Sequence, residues 1–183
     1  MKNFATPWGP SQQSREIAPG IVSHSTAGHG GLHLSEERWY EFRKQLPTQT
    51  TWAGARWFEE DLDWALVAIA FPQHFEDTAI YNAVRTVEAS ARPGGCGHDY
   101  LGEARAFLLE PAAAALVKRA RDFEAKVHGR WEVTSFGSAF GANRDAWGGG
   151  LRNTASGERK RLDFKAMPEQ QFYTESEVAL AAA

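Results

Sequence analysis

The chain has 183 residues, of which 43% are apolar and 12% aromatic, so it can bury the core of one domain and is not wholly disordered. Its 20 Lys and Arg against 23 Asp and Glu give a formal charge of −3, which excludes a strongly basic nucleic-acid coat and an extreme acidic DNA mimic. A single cysteine excludes a disulfide framework and a cysteine-rich zinc site. No segment resembles a signal peptide or reaches the ~18 apolar residues of a membrane span, so we expect a soluble, cytoplasmic protein without a membrane partner.

The N-terminal part predicts a loop followed by two strands. Proline and glycine interrupt residues 1–20, which predicts a loop that wraps the body of the protein with Trp8 as its anchor. Residues 21–26 and 32–34 are β-prone, and the glycine-rich residues 28–31 between them predict a turn.

Four helices are predicted in the middle of the chain. Ser35 is a typical N-cap for the first helix, because two glutamates follow it in the first turn. The second and third helices cover residues 58–70 and 75–89, where apolar residues recur with helical spacing. The fourth covers residues 103–127, and Pro111 is expected to kink or split it.

The C-terminal part predicts further strands, at residues 131–136, around Leu151 and at 161–166. Residues 175–183 predict a frayed helix or a disordered tail. This order of elements predicts an α+β fold, with a small antiparallel sheet formed from N- and C-terminal strands and packed against about four helices. Residues 1–174 are expected to form a single domain.

Several sequence motifs resemble an uncharacterised domain family that bacteriophages, conjugative plasmids and the large multidomain proteins of such elements carry. The motifs are TPWG (residues 6–9), IAPGI (17–21), STAGHGG (25–31), WFEEDLDW (57–64) and AFP (70–72). The resemblance implies a mobile-element setting, in which accessory proteins commonly blunt host defences. It therefore implies a protein partner from the host or the element, of the kind that handles nucleic acid.

Histidine is the first candidate for chemistry. Glycines on both sides of His29 allow close backbone approach and expose its imidazole for catalysis or ligand binding. Together with His24 and His33 it also has donors able to bind a divalent ion, although the spacing matches no known metalloenzyme signature. The plain alternative is a tight hairpin in which His29 caps backbone groups. We expect no metal and no other cofactor.

The acidic residues Glu59, Glu60, Asp61 and Asp63 are the second candidate. On the predicted helix, Glu59, Glu60 and Asp63 share one side, where they can bind a cation, raise a pKa or meet a basic partner. The plain alternative is that they complement the dipole at the start of that helix.

Two further groups carry weaker signals. Cys96, His98 and Asp99 share one loop, but residues so close in sequence seldom hold the geometry of a nucleophile and its base, so we expect a structural or incidental cysteine. The basic residues of the C-terminal part can contact phosphates, or they form a solvated basic hairpin.

The leading hypothesis is a non-enzymatic accessory protein that binds and inhibits a component of a host defence system, of the anti-CRISPR or anti-restriction type. The acidic helix face would meet a basic surface on the partner, with an apolar anchor beside it. The expected binding residues are Glu59, Glu60, Asp63, Trp57 and Trp52.

Two alternatives remain open. The first is a small enzyme in which His29 acts as general base or ligand and a carboxylate of Glu59, Glu60 or Asp63 orients it. The second is nucleic-acid binding through Arg159, Lys160 and Arg161, which would depend strongly on salt.

Overall fold

The computed structural model describes residues 4–90, 99–138, 147–163 and 170–181. Contacts between Cα atoms divide the chain into two compact units, Met1–Phe123 and Glu124–Ala183. The boundary between them lies inside the predicted single domain of residues 1–174, and the single domain stays a prediction.

Unit 1 contains a four-stranded antiparallel sheet that is preceded by a small hairpin. The hairpin and the sheet strands are β1 (Ala5–Thr6), β2 (Gly9–Pro10), β3 (Gln13–Ala18), β4 (Ile21–Ser25), β5 (Gly30–Leu34) and β6 (Trp57–Glu59). The strand order in the sheet is β3-β4-β5-β6. The prediction of a loop over residues 1–20 was therefore wrong for much of that segment, whereas the two predicted strands at 21–26 and 32–34 are confirmed.

The helices of unit 1 follow local signals that the sequence contains. Ser35 caps the first helix, and its hydroxyl accepts a hydrogen bond from the Arg38 N–H at 3.3 Å. Pro111 opens a short 3-10 turn that separates two helices, so the predicted fourth helix is split. The α-helices of this part of the chain are α1 (Glu36–Gln45), α2 (Trp64–Ala70), α3 (Asp77–Ala89), α4 (Gly102–Leu108) and α5 (Ala114–Val127).

The predicted helix over residues 58–70 was wrong in its first half. Trp57, Phe58 and Glu59 form β6, which pairs with β5, and α2 begins only at Trp64. The acidic residues consequently precede the helix, and the first turn of α2 contains none of them. Tertiary pairing with β5 has overridden the helical spacing of the apolar residues.

The core of unit 1 covers one face of its sheet. Alternation along the paired strands places Ile21, Leu32, Leu34 and Phe58 on the same face, and all four are buried. Helices α1, α2 and α3 contribute further buried apolar residues to this core, and α2 is buried along most of its length. The opposite face of the sheet carries polar and aromatic side chains.

Unit 2 contains a second antiparallel sheet and a short helix. Its strands and helix are β7 (Trp131–Ser138), β8 (Trp147–Asn153), β9 (Arg159–Asp163), β10 (Phe172–Tyr173) and α6 (Glu175–Ala181). The strand order in this sheet is β10-β7-β8-β9. Its small core includes Trp131, Leu151, Tyr173 and Val178.

The predicted α+β class with antiparallel strands is confirmed. The N- and C-terminal strands, however, pair within two separate sheets rather than in one. Among the described residues, no helix has both the length and the apolar character required to cross a membrane.

Candidate functional site

The candidate site begins at the turn between β4 and β5, which carries His29. Thr26 organises this turn through its hydroxyl, which donates to the His29 carbonyl at 2.7 Å and accepts from the His29 N–H at 3.1 Å. The Thr26 N–H also donates to the His29 carbonyl, at 2.7 Å. Thr26 rather than the imidazole therefore caps this turn, and the His29 ring is 58% exposed.

Glu60 meets His29 from the neighbouring strand. Because Gly31 of β5 pairs with Glu59 of β6, the residue after β6 lies beside the turn before β5, and the Glu60 N–H donates to the Gly30 carbonyl at 3.2 Å. The Glu60 carboxylate Oε1 lies 4.0 Å from His29 Nδ1, within ion-pair distance but longer than a hydrogen bond. A Cβ on Gly30 would lie 2.5 Å from Glu60 Oε2 and 2.9 Å from the His24 carbonyl oxygen, so the absence of a side chain leaves room for Glu60 here.

Glu59 is buried beside this pair and has a structural role. Its Oε2 accepts hydrogen bonds from the N–H groups of Asp61 at 2.8 Å and Leu62 at 3.3 Å. It thereby stabilises the bend between β6 and α2. Ring nitrogen and carboxylate oxygen atoms of His29, Glu59 and Glu60 lie within 4.8 Å of one another, so these three residues can hold a metal ion.

Asp63 lies apart from the His29 turn, and its carboxylate is fully engaged. It is 1% exposed, and it accepts hydrogen bonds from the Tyr100 hydroxyl at 2.7 Å and the Trp52 N–H at 2.9 Å. Burial raises the pKa of Asp63, while the hydrogen bond from Tyr100 opposes that rise. Burial of the Tyr100 hydroxyl and its hydrogen bond to Asp63 raise the pKa of Tyr100. Asp63 therefore fixes one loop of the fold and does not orient His29.

A cleft lies next to the turn that carries His29. Its volume is about 320 Å³. It is lined by Trp8, Pro10, Ser11, Gln12, Thr26, Ala27 and Gly28. The indole N–H of Trp8 is buried and lacks a hydrogen-bond partner among the residues that the structure describes. The cleft is lined in part by the residues of the turn that precede His29, and neither His29 nor Glu60 is part of its lining.

Residues 1–94, just over half of the chain, match the family described as a domain of unknown function (DUF7007). The chain belongs to this family. The DUF7007 region contains the complete His29 site, with Glu59, Glu60 and the cleft, whereas the basic residues of β9 lie outside it. No curated protein and no solved structure matches the chain.

His24 and His33 of the DUF7007 region lie on the polar face of the first sheet and do not join His29. Their rings pack with Trp57, whose centroid is 5.5 Å from that of His24 and 4.4 Å from that of His33. Phe4 stacks on His24 at 5.0 Å. Burial lowers the pKa of both histidines, and Arg56 lowers that of His33 further. His24 and His33 therefore belong to one cluster around Trp57, and His29 is separate from it.

The prediction of an acidic helix face for partner binding was wrong, because the acidic residues precede α2 and two of them are buried. Glu59 is 8% exposed and Asp63 1% exposed, and both hold hydrogen bonds inside the DUF7007 region, so neither faces a partner. Glu60 and Asp61 are exposed. Of the two expected aromatic anchors, Trp52 is 75% exposed, whereas Trp57 is half-buried between the histidines and the β1–β2 hairpin, where Trp8 contacts it edge-on.

The remaining sequence candidates lie elsewhere. Cys96 and His98 are outside the described residues, and Asp99 forms an ion pair with Arg105. Arg159 and Arg161 are exposed on β9 of unit 2. Lys160 forms an ion pair with Glu175 at 3.1 Å, and its ammonium lies 4.1 Å from the centre of the Trp131 ring. Its positive charge therefore interacts with groups of unit 2.

Sequence reasoning missed Thr26, which shapes the His29 turn, and Tyr100, which holds Asp63. The signal for Thr26 was its position three residues before His29, the spacing at which a threonine hydroxyl bonds a turn. Tyr100 gave no such signal, because it contacts Asp63 across 37 positions in sequence.

Proposed function

We propose that the chain is a small enzyme whose reactive centre is His29 with Glu60. The observation that carries this proposal is the distance of 4.0 Å between His29 Nδ1 and Glu60 Oε1, which brings together two exposed side chains at the adjacent ends of β5 and β6. An imidazole can act as a general base, and a nearby carboxylate can orient it once a substrate or water draws the two side chains together. The pair is thus suited to take a proton from water or from a substrate hydroxyl.

The contacts around the pair support this role. Thr26 fixes the backbone of His29, and the register of β5 and β6 fixes that of Glu60, so the two side chains start from rigid positions. A surface histidine with a purely structural role would be expected to use its ring in a turn or a core. The His29 ring does neither.

The setting of the enzyme is a second part of the proposal. The motifs that resemble proteins of bacteriophages and conjugative plasmids support a role in mobile genetic elements, in the cytoplasm of the host. We place its substrate among the components of a host defence system, of the restriction or CRISPR type.

A binding inhibitor without catalysis is the second candidate. It is favoured by Trp52, which is 75% exposed while its backbone N–H is held by buried Asp63. A rigidly placed exposed aromatic is typical of an interface anchor. Glu60 and Asp61 would supply the acidic part of such an interface.

The efficiency of phage plating on hosts with defined restriction or CRISPR systems tests both candidates, with and without the chain expressed. An enzyme predicts that His29→Ala and Glu60→Gln abolish the rescue of the phage and that Trp52→Ala retains it. A binding inhibitor predicts that Trp52→Ala and Glu60→Gln reduce the rescue and that His29→Ala retains it. Glu110→Gln is the matched control, because Glu110 is exposed and belongs to neither proposed surface. Absence of rescue across the panel would overturn the anti-defence setting.

Stoichiometry then separates catalysis from binding. Once plating identifies a sensitive system, its purified component is titrated with the chain. An enzyme inactivates the component at substoichiometric amounts and at a rate that depends on time, whereas an inhibitor needs one copy per copy of its target. Inactivation that stops at equal amounts would overturn the enzymatic proposal.

Nucleic-acid binding through Arg159, Lys160 and Arg161 stays a prediction of the sequence. The engagement of Lys160 with Glu175 and Trp131 gives it no support. Affinity for DNA or RNA that falls steeply with salt, and that Arg159→Ala reduces, would revive it.

A further inference from the structure

The geometry points to a divalent transition-metal ion bound by His29, Glu59 and Glu60. This inference rests on the proposed function, because it names what the same site holds. The donor atoms of the three residues lie within 4.8 Å of one another. Ligands about 2.1 Å from one zinc ion lie about 3–4 Å apart, so rotation of the exposed His29 and Glu60 side chains closes the set.

Glu59 supplies an observation independent of the His29–Glu60 pair. Its side chain is more than nine-tenths buried, and among the described residues it forms no ion pair with Lys, Arg or His. Two N–H donors satisfy one of its carboxylate oxygens, but no cation among the described residues balances its charge. Both of its backbone hydrogen bonds use Oε2, which leaves Oε1 as the oxygen that can ligate. A bound cation would neutralise this carboxylate.

The donor set indicates the kind of ion. One imidazole nitrogen and two carboxylates suit Zn²⁺ or Mn²⁺, whereas Mg²⁺ and Ca²⁺ prefer oxygen ligands alone. Three protein ligands leave further positions for water, and the exposure of His29 and Glu60 places those positions toward solvent. Such a site would lower the pKa of a bound water, so that the proton assigned to the His29–Glu60 pair would be lost from that water instead.

Calorimetric titration of the metal-free full chain with Zn²⁺ tests the inference. We expect saturable binding of one ion per chain, and a loss of affinity of about tenfold or more in His29→Ala, Glu60→Gln and Glu59→Gln. Gln at position 59 retains an oxygen for the Asp61 and Leu62 N–H groups, so this variant separates ligation from folding. Asp61→Asn is the matched control and should keep the wild-type affinity, because Asp61 is not among the three donors.

Nuclear magnetic resonance locates the ion. Mn²⁺ added to the labelled chain should broaden the signals of residues 29–31 and 59–60 before all others, and the His24 ring signals should persist longer than those of His29. The absence of saturable Zn²⁺ binding, or wild-type affinity in His29→Ala, would overturn the metal site. In that event, rescue of phage that still depends on His29 would leave the acid–base function in place without a metal. Metal binding without any effect of His29→Ala on rescue would instead overturn the proposed function.

Discussion

The indole of Trp8 lies directly over the backbone of Gly31. A Cβ at position 31 would collide with the Trp8 ring and with the backbone carbonyl of Phe58, so the β1–β2 hairpin closes over β5 only because this residue is glycine. Packing of Trp8 thus explains the glycine at position 31. The proximity of Glu60 explains the glycine at position 30.

Gly31→Ala should lower the free energy of unfolding by about 1–3 kcal/mol, because the added methyl group forces Trp8 or β6 out of place. Denaturation with urea, monitored by tryptophan fluorescence, measures the effect. Gly28→Ala is the matched control, since a Cβ there meets nothing within 4 Å and stability should change little. Equal stability of the two variants would show that Trp8 does not pack on Gly31 in solution.

Acid should destabilise the sheet of unit 1 through His24 on β4 and His33 on β5. Burial lowers the pKa of both from the usual 6.5, and the positive charges of Arg56 and His24 lower that of His33 further. At pH values between these lowered pKa values and 6.5, the unfolded chain binds more protons than the folded chain. The contribution of these histidines to the free energy of unfolding is therefore complete above pH 6.5 and falls as the pH decreases through this range.

Unfolding titrations between about pH 8 and pH 5 measure this dependence. His33→Gln should reduce the loss of stability on acidification, because it removes one of the two groups that the unfolded chain protonates. His29→Gln serves as the control, since that ring is exposed and outside the cluster. An identical pH profile for His33→Gln and the wild type would contradict the assignment.

Tyr100→Phe should destabilise the fold, most strongly when Asp63 is ionised. The lost hydrogen bond goes to a buried carboxylate, so the expected cost is about 1.5–3 kcal/mol near neutral pH. This bond lowers the pKa of Asp63, so its removal raises that pKa further. The folded variant therefore loses stability as the pH rises through the pKa of Asp63 and the carboxyl ionises. The cost should therefore shrink in acid, where Asp63 is protonated.

Urea unfolding of Tyr100→Phe near pH 7 and near pH 3.5 checks both the size and the sign. Tyr40→Phe is the control, because Tyr40 is exposed and its hydroxyl has only a long bond of 3.4 Å to Glu36. Its effect should stay within about 0.5 kcal/mol. A cost for Tyr100→Phe that grows in acid would contradict the role given to its hydroxyl.

Local signals were sufficient for the elements that the sequence predicted well. The Ser35 cap and the break at Pro111 depend on neighbouring residues alone, and both occur as expected. Strand β3 was missed because it is almost entirely exposed, so its residues show no apolar alternation. Strand β6 was missed because three residues with a central Phe58 fit the start of a helix as well as a strand, and pairing with β5 decides between them.

The candidate site was predictable in its residues but not in its arrangement. Residue type singled out His29 and Glu60, and the glycines around His29 indicated a close approach. The sequence did not show that the three carboxylates have different roles. Glu59 stabilises a bend, Glu60 lies beside His29, and Asp63 accepts a hydrogen bond from Tyr100. These roles follow from strand register and a distant tyrosine, which single-sequence periodicity does not contain.

Thr26 offers a test of whether the turn positions His29 for its function. Thr26→Val removes the hydroxyl that bonds both the N–H and the carbonyl of His29, so the imidazole should lose its fixed starting point. We expect the affinity for Zn²⁺ to fall about tenfold, as is typical when a group that orients a metal ligand is lost. Thr26→Ser keeps the hydroxyl and should keep the affinity. Calorimetry on the two variants, with urea unfolding to show that both are folded, makes the comparison, and equal affinities would mean that Thr26 supports the hairpin without positioning His29.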